Sequence, residues 1–374
     1  MTITNDLELV DDHCHGLLTT DLQPDEFRGL ATESDWLSLP GTETLDSPFG
    51  LGIRSVCAPL LDLPRHADID SYIARRLELG SAEVNARLMR STGSEHLIID
   101  TGFLQSDVIS PSAMTDLLGT RTSEIVRLEA VAESIGESTS AATFVRDYDE
   151  ALAAAAADAV GFKSIAAYRF GLDLPDTAPD TQAVERAAGE WLRGAQRSGS
   201  YRVDDPTLLS HLVWAAISHK KPIQFHVGFG DSDLVLHRSD PSRMTRFLKA
   251  TRDTGASVVL LHCYPFVRES GSLAHIFPHV YFDVGEVTHY LGPSARVAIR
   301  QSMEIAPFHK LLYSSDAYGL AEHYAVSAYS WRRETARVLD EWIADEWVDA
   351  TGAERIAAAI AVGNARRVYG LDAA

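Results

Sequence analysis

The 374-residue chain has little of what would mark a secreted, membrane-bound or nucleic-acid-binding protein. Only three cysteines occur, Cys14, Cys57 and Cys263. They build no disulfide framework, so a reducing cytoplasm is the expected location. Positive charge is scarce: 33 Lys and Arg stand against 53 Asp and Glu, a formal net charge of −20. That balance argues against nucleic acid or an anionic membrane surface as a partner. No run approaches the roughly 20 apolar residues of a membrane helix. The polar, acidic start at residues 1–6 lacks the basic end and apolar core of a signal peptide. Glycine-rich dinucleotide fingerprints are missing after the first apolar run, which disfavours a doubly wound nucleotide-binding sheet. There is no internal repeat, and the alanine run at 153–157 reads as ordinary helix.

What is present is alternation. An apolar run ends at Leu9-Val10-Asp11-Asp12-His13-Cys14-His15-Gly16. Residues two apart on a strand share a face, so His13 and His15 present two imidazoles side by side. Residues 17–94 follow with turn chemistry at Pro24, Pro40-Gly41, Pro48 and Gly50-Leu51-Gly52, and a helical pattern over 67–90. This section is too long for an ordinary loop and is expected to be a helical insertion, a lid over the site. Further strands are expected near 95–102, 123–129, 160–166, 222–227, 257–263, 280–284 and 310–316. Helical stretches fall between them, and a helical tail spans about 321–369. Eight strands alternating with helices predict an α/β fold, a (β/α)8 barrel over residues 1–374 with its site at the C-terminal strand ends.

Those ends carry His13 and His15, Glu129, Lys163, His226, His262 and Asp316. Imidazoles and a carboxylate suit one or two divalent ions with a position left open for water. Asp316 is expected to move the water's proton to a leaving group. His262 is expected to stabilise a developing oxyanion or to help hold a second ion. Each residue also has a plainer use: Asp316 as a helix cap, Lys163 as the partner of an acid. Three states suit Lys163 beside a cation: turned away onto an acid such as Glu129, neutral through burial, or carboxylated as a carbamate.

His13-x-His15, Lys163, His226, His262 and Asp316 resemble the amidohydrolase superfamily pattern on strands 1, 4, 5, 6 and 8. The likeness narrows to the amidohydrolase-2 type of the FluG/nodulin-like group, related to domains fused to glutamine-synthetase-like domains. It rests on Leu128–Glu133, Phe162–Arg169, His226–Asp231, Leu261–Phe266, Tyr313–Gly319 and Asn364–Arg367. The resemblance implies a metal-dependent hydrolase of C–N amide bonds using zinc or manganese, with γ-glutamyl amides as candidate substrates. It favours the carboxylated form of Lys163, bridging two ions. Metal ligands would be His13, His15, Lys163, His226, His262 and Asp316. A substrate carboxylate would need a cation, with Arg169 first and Arg268 in reserve. Asp231 would meet an ammonium group, and Glu129 would join the substrate site. Decarboxylation of an aromatic acid is the competing chemistry, and a non-catalytic ligand-binding barrel the third reading. The expected partners are a small-molecule substrate and, in a homo-oligomer, further copies of the chain.

Overall fold

The first strand, β1 (Leu9–Cys14), is buried at all six positions, although it contains Asp11, Asp12 and His13. Strands covered on both faces are normally apolar throughout, so the polar residues here are held for a purpose. The structure, a computed structural model, describes residues 3–36, 38–103 and 107–371. Six more strands follow: β2 (Ser94–Asp100), β3 (Arg121–Arg127), β4 (Gly161–Ser164), β5 (Ile223–Val227), β6 (Val258–His262) and β7 (Val280–Phe282). They are ordered β1 to β7 in a seven-stranded sheet. Pairing is parallel for β1 with β2 and from β3 through to β7. Helices occupy the connections, which gives the α/β class.

Local chemistry sets the connections. Helix Pro111–Leu118 starts on Ser110, whose side chain accepts from Ala113 N, and stops at left-handed Gly119. Helix Thr181–Ser198 repeats the device with Asp180 and Gly199. Helix Pro206–Ser218 begins on Asp205, which accepts from Thr207 N and Leu208 N.

The chain divides into two units. One comprises Met1–Ser123, Gly230–Ser232 and Asp283–Ala374; the other comprises Glu124–Phe229 and Asp233–Phe282. In the first, the segment between β1 and β2 is helical: Pro24–Leu30, Pro48–Gly52, Ile69–Leu79 and Ser81–Thr92. The single helical pattern expected over 67–90 is two helices, because Gly80 at φ +76 breaks it. Their apolar faces join one core in which Phe27, Phe49, Tyr72, Leu88 and Tyr324 are all buried. Tyr324 comes from the 24-residue helix Ala321–Ala344 of the tail. No helix among the described residues is long and apolar enough to cross a membrane.

The expected eighth strand does not form as a strand. Lys310 closes a 3-10 turn, Phe308–Lys310. Asp316 then takes φ +49, outside the extended region, so regular strand backbone stops before it. The segment still lies along β1. Asp12 N donates to Tyr313 O at 3.0 Å, Asp316 N to His13 O at 2.9 Å, and His15 N to Ala317 O at 2.8 Å. The expected third strand also ends early. Leu128–Ser134 is a helix of strong helix formers, so Glu129 lies in a first helical turn and not at a strand end.

Candidate metal centre

In the first unit, β1 delivers His13 and His15 nearly fully buried, with ring centroids 5.1 Å apart. His15 Nδ1 lies 3.0 Å from the carbonyl oxygen of Asp100, at the end of β2. That hydrogen bond places the proton on Nδ1 and turns the Nε2 lone pair the other way, the arrangement metal-bound imidazoles use. Asp316 meets it: its Oδ1 lies 3.1 Å from His13 Nε2 and 3.6 Å from His15 Nε2. One ligand atom from each of His13, His15 and Asp316 lies within 4.8 Å of the others. Two imidazoles and a carboxylate with this convergence fit a divalent transition metal.

The backing of Asp316 comes from β1 itself. Asp11 accepts from Ser315 N at 2.9 Å and from Ser315 Oγ at 2.5 Å. Burial pushes the Asp11 carboxyl up to about 7, and Asp316 adds to this, against the Ser315 hydrogen bonds. Glu286, after β7, is buried at φ +48, and its N–H donates to Ser315 O at 2.9 Å. Its carboxylate lies within 4.8 Å of that of Asp316.

The insertion reaches the same region through Glu33, which accepts from Tyr290 OH at 2.8 Å. Tyr290 OH is 3.1 Å from Tyr318 OH. Burial raises the Glu33 carboxyl to about 7, helped by Asp316 and Asp231 and opposed by the two phenols. Asp231, half-buried, is therefore an electrostatic neighbour of Glu33. Phe103 packs 5.3 Å from the His15 ring.

In the second unit, β5 and β6 present His226 and His262, both buried, with ring centroids 4.7 Å apart. Tyr168 packs against His226 with its ring tilted 52° and centroids 4.4 Å apart. Lys163 is 2% exposed on β4, in register with Arg127 of β3 and Gln224 of β5. Glu129 Oε1 accepts from Ser164 Oγ at 2.8 Å and Ile165 N at 3.0 Å, holding the turn after β4. Its Oε2 is buried with no hydrogen-bond partner among the described residues. Arg169 follows that turn, its side chain 8% exposed and 3.2 Å from Glu133. Its Nε and Nη1 are buried without partners among the described residues. Burial holds this guanidinium below its ordinary value. Arg268 is exposed on the helix Val267–Ile276.

Sequence reasoning overlooked Asp11, Glu33 and Glu286. Asp11 carried a signal, being a charged residue inside a run that must be buried. Glu286 sits four residues past an apolar strand, a place to look for a site carboxylate. Glu33 carried none, since it lies in an irregular stretch.

Two further imidazoles lie behind the centre. His289 and His323 are fully buried, 4.7 Å apart, and His323 stacks 4.7 Å from Phe49. Burial drives the His323 imidazole from 6.5 down to about 4. As pH falls, the unfolded chain takes this proton before the folded one. Stability is thus full above pH 6.5 and is lost as pH falls towards about 4. We expect the thermal midpoint of metal-free protein to drop between pH 7 and 4.5, and to drop less in His323→Phe. Equal drops in parent and variant would remove His323 from the account.

A family model described as Amidohydrolase matches residues 114–371. Protein fluG of Emericella nidulans is 27% identical over 97% of this chain and 46% of its own length. The chain thus spans about half of that curated relative. A Lactobacillus casei protein assigned as a metal-dependent hydrolase is 28% identical, with a TM-score of 0.87 over 99% of this chain and 97% of its own. A uronate isomerase of Bacillus halodurans, at 15% identity and TM-score 0.63 over 98% and 94%, shares the fold. With the matched region covering more than half of its length, the chain belongs to the amidohydrolase family.

Proposed function

We propose that the protein is a metal-dependent hydrolase that cleaves the C–N bond of a small carboxylate-bearing amide. γ-Glutamyl amides are the first class to test. The observation that carries this reading is Asp316 Oδ1 set against the Nε2 atoms of His13 and His15. The proposed ligands are His13, His15, His226 and Asp316. Lys163, if carboxylated, would together with His226 and His262 hold a second zinc or manganese ion. A divalent ion in such a site acidifies water and polarises a carbonyl. Asp316 takes the proton from the attacking water and returns it to the leaving amine, so the amine departs neutral.

Arg169 is the proposed clamp for the substrate carboxylate. Two of its buried nitrogens have no partner among the described residues, and a guanidinium offers carboxylate a matched pair of donors. Asp231 is the proposed seat of an ammonium group, Glu129 a further substrate contact, and Arg268 the alternative cation. Residues 17–94 are the proposed lid. Phe103 beside His15 favours the competing reading, decarboxylation of an aromatic acid.

Metal-loaded protein should release free amine and glutamate from γ-glutamyl amides and no carbon dioxide from aromatic acids. The reverse result would replace the hydrolase reading with the decarboxylase one. Arg169→Met should raise KM about tenfold or more, the usual worth of a hydrogen bond to a charged group, with kcat less affected. An unchanged KM would shift the role to another cation.

A further inference from the structure

The first unit has a second concave surface, at the other end of its strands. A cavity of about 730 Å³ is lined by Arg65, Arg90, Arg332 and Arg333. Leu7, just before β1, and Gly93, just before β2, also line it. It therefore opens at the entry ends of those strands, whereas His13, His15 and Asp100 lie at their exit ends. The six residues of β1 make that separation about 20 Å.

The charge accounting is unusual for so acidic a chain. Arg65 donates Nη1 to the carbonyl of Ser55 at 2.8 Å. Arg332 donates to the carbonyls of Thr92 at 2.6 Å and Leu7 at 2.7 Å, and its buried Nε has no partner among the described residues. Arg65, Arg90 and Arg332 have no carboxylate partner among the described residues. Arg333 shares itself between Tyr329 OH at 2.7 Å and Glu334 at 3.5 Å. By contrast, Arg28, Arg75 and Arg87, from the same inter-strand segment, each pair with a carboxylate. Guanidinium groups gathered in one hollow repel one another, and low-dielectric walls focus their field on whatever enters.

We propose that this cavity binds a compact polyanionic metabolite, bearing phosphate or several carboxylates. Its volume suits a small molecule. Guanidinium forks bind phosphate and carboxylate oxygens in pairs, and Tyr329 supplies a wall on which Arg333 already stacks at 5.8 Å. Asp6 and Glu8 line the cavity too, but its four arginines outnumber them and leave the lining net positive. The site is independent of the hydrolase reading.

The test is calorimetry on the metal-loaded full chain at fixed ionic strength, with pyrophosphate and citrate as separate probes. One of them should bind saturably with a Kd below about 1 mM. The one that binds separates a phosphate ligand from a polycarboxylate. In the Arg65→Ala, Arg90→Ala double variant that Kd should rise at least about tenfold, with the melting temperature unchanged. Arg90→Glu, a single change at an exposed position, should weaken binding as strongly and serves if the double variant is unstable. Absence of saturable binding by both probes would overturn the proposal. So would binding that survives the arginine substitutions.

Discussion

Asp316→Asn should lower kcat by about two orders of magnitude or more, the usual worth of general acid–base catalysis, while His13→Ala should lose metal and activity together. Asp316 is proposed as both ligand and base, so the two variants separate those roles where Asp316→Asn keeps its metal. Asp316 N donates to His13 O at 2.9 Å, so the carboxylate is registered against the strand that carries the imidazoles. Its left-handed backbone, φ +49, aims the side chain back at them, a local cost of the kind found at functional sites. Asparagine fits this frame and keeps the hydrogen bonds of Ser315 to Asp11, so the fold should survive. What it loses is the basic oxygen 3.1 Å from His13 Nε2. His13→Ala removes a ligand from the strand itself, leaving His15 and Asp316 of the trio. Metal content by mass spectrometry and steady-state turnover check both. Full metal occupancy with parental kcat in His13→Ala would refute the ligand assignment. Turnover within a few-fold of parent in Asp316→Asn would exclude it as the essential base.

The histidines were legible in the sequence because strand geometry makes a two-residue spacing meaningful. The buried runs of β5 and β6 pointed to His226 and His262 by position instead: His262 is the last residue of β6 and His226 the last but one of β5. Asp316 was legible as a candidate, but its conformation was not. Tyr313-Ser314-Ser315-Asp316 reads as the end of a strand, and a positive φ at a non-glycine residue leaves no trace in hydrophobic periodicity. Glu129 was misplaced by a few residues because Ile125 to Leu128 suits strand and helix alike. In the structure the alternation stops at Arg127, and helix propensity takes over. Glu33 and Glu286 depend on where irregular segments pass in space. That is decided by packing such as Tyr290 and Tyr318 against Glu33, which no local pattern encodes.

The largest stability effect is expected at Glu322, in the first turn of the long tail helix. Its Oε1 accepts from Arg76 Nε at 2.9 Å and from Tyr72 OH at 2.8 Å. The Arg76 and Glu322 side chains are 3% and 0% exposed, and the Arg76 guanidinium lies 5.2 Å from the Phe27 ring centroid. This ion pair fastens helix Ile69–Leu79 of the insertion to the tail helix through the middle of their shared core. Two charges out of water stabilise little as a pair, but each is costly alone. Glu322→Ala should therefore destabilise the fold by about 3–5 kcal/mol, because Arg76 is left charged and buried. The double variant Arg76→Met, Glu322→Leu should recover most of that loss, since it removes both charges and keeps the volume. Guanidinium unfolding of all three proteins at neutral pH measures the difference. A loss under about 1 kcal/mol in Glu322→Ala, the range of exposed ion pairs, would show that water reaches Arg76 and that the clasp does not hold the insertion.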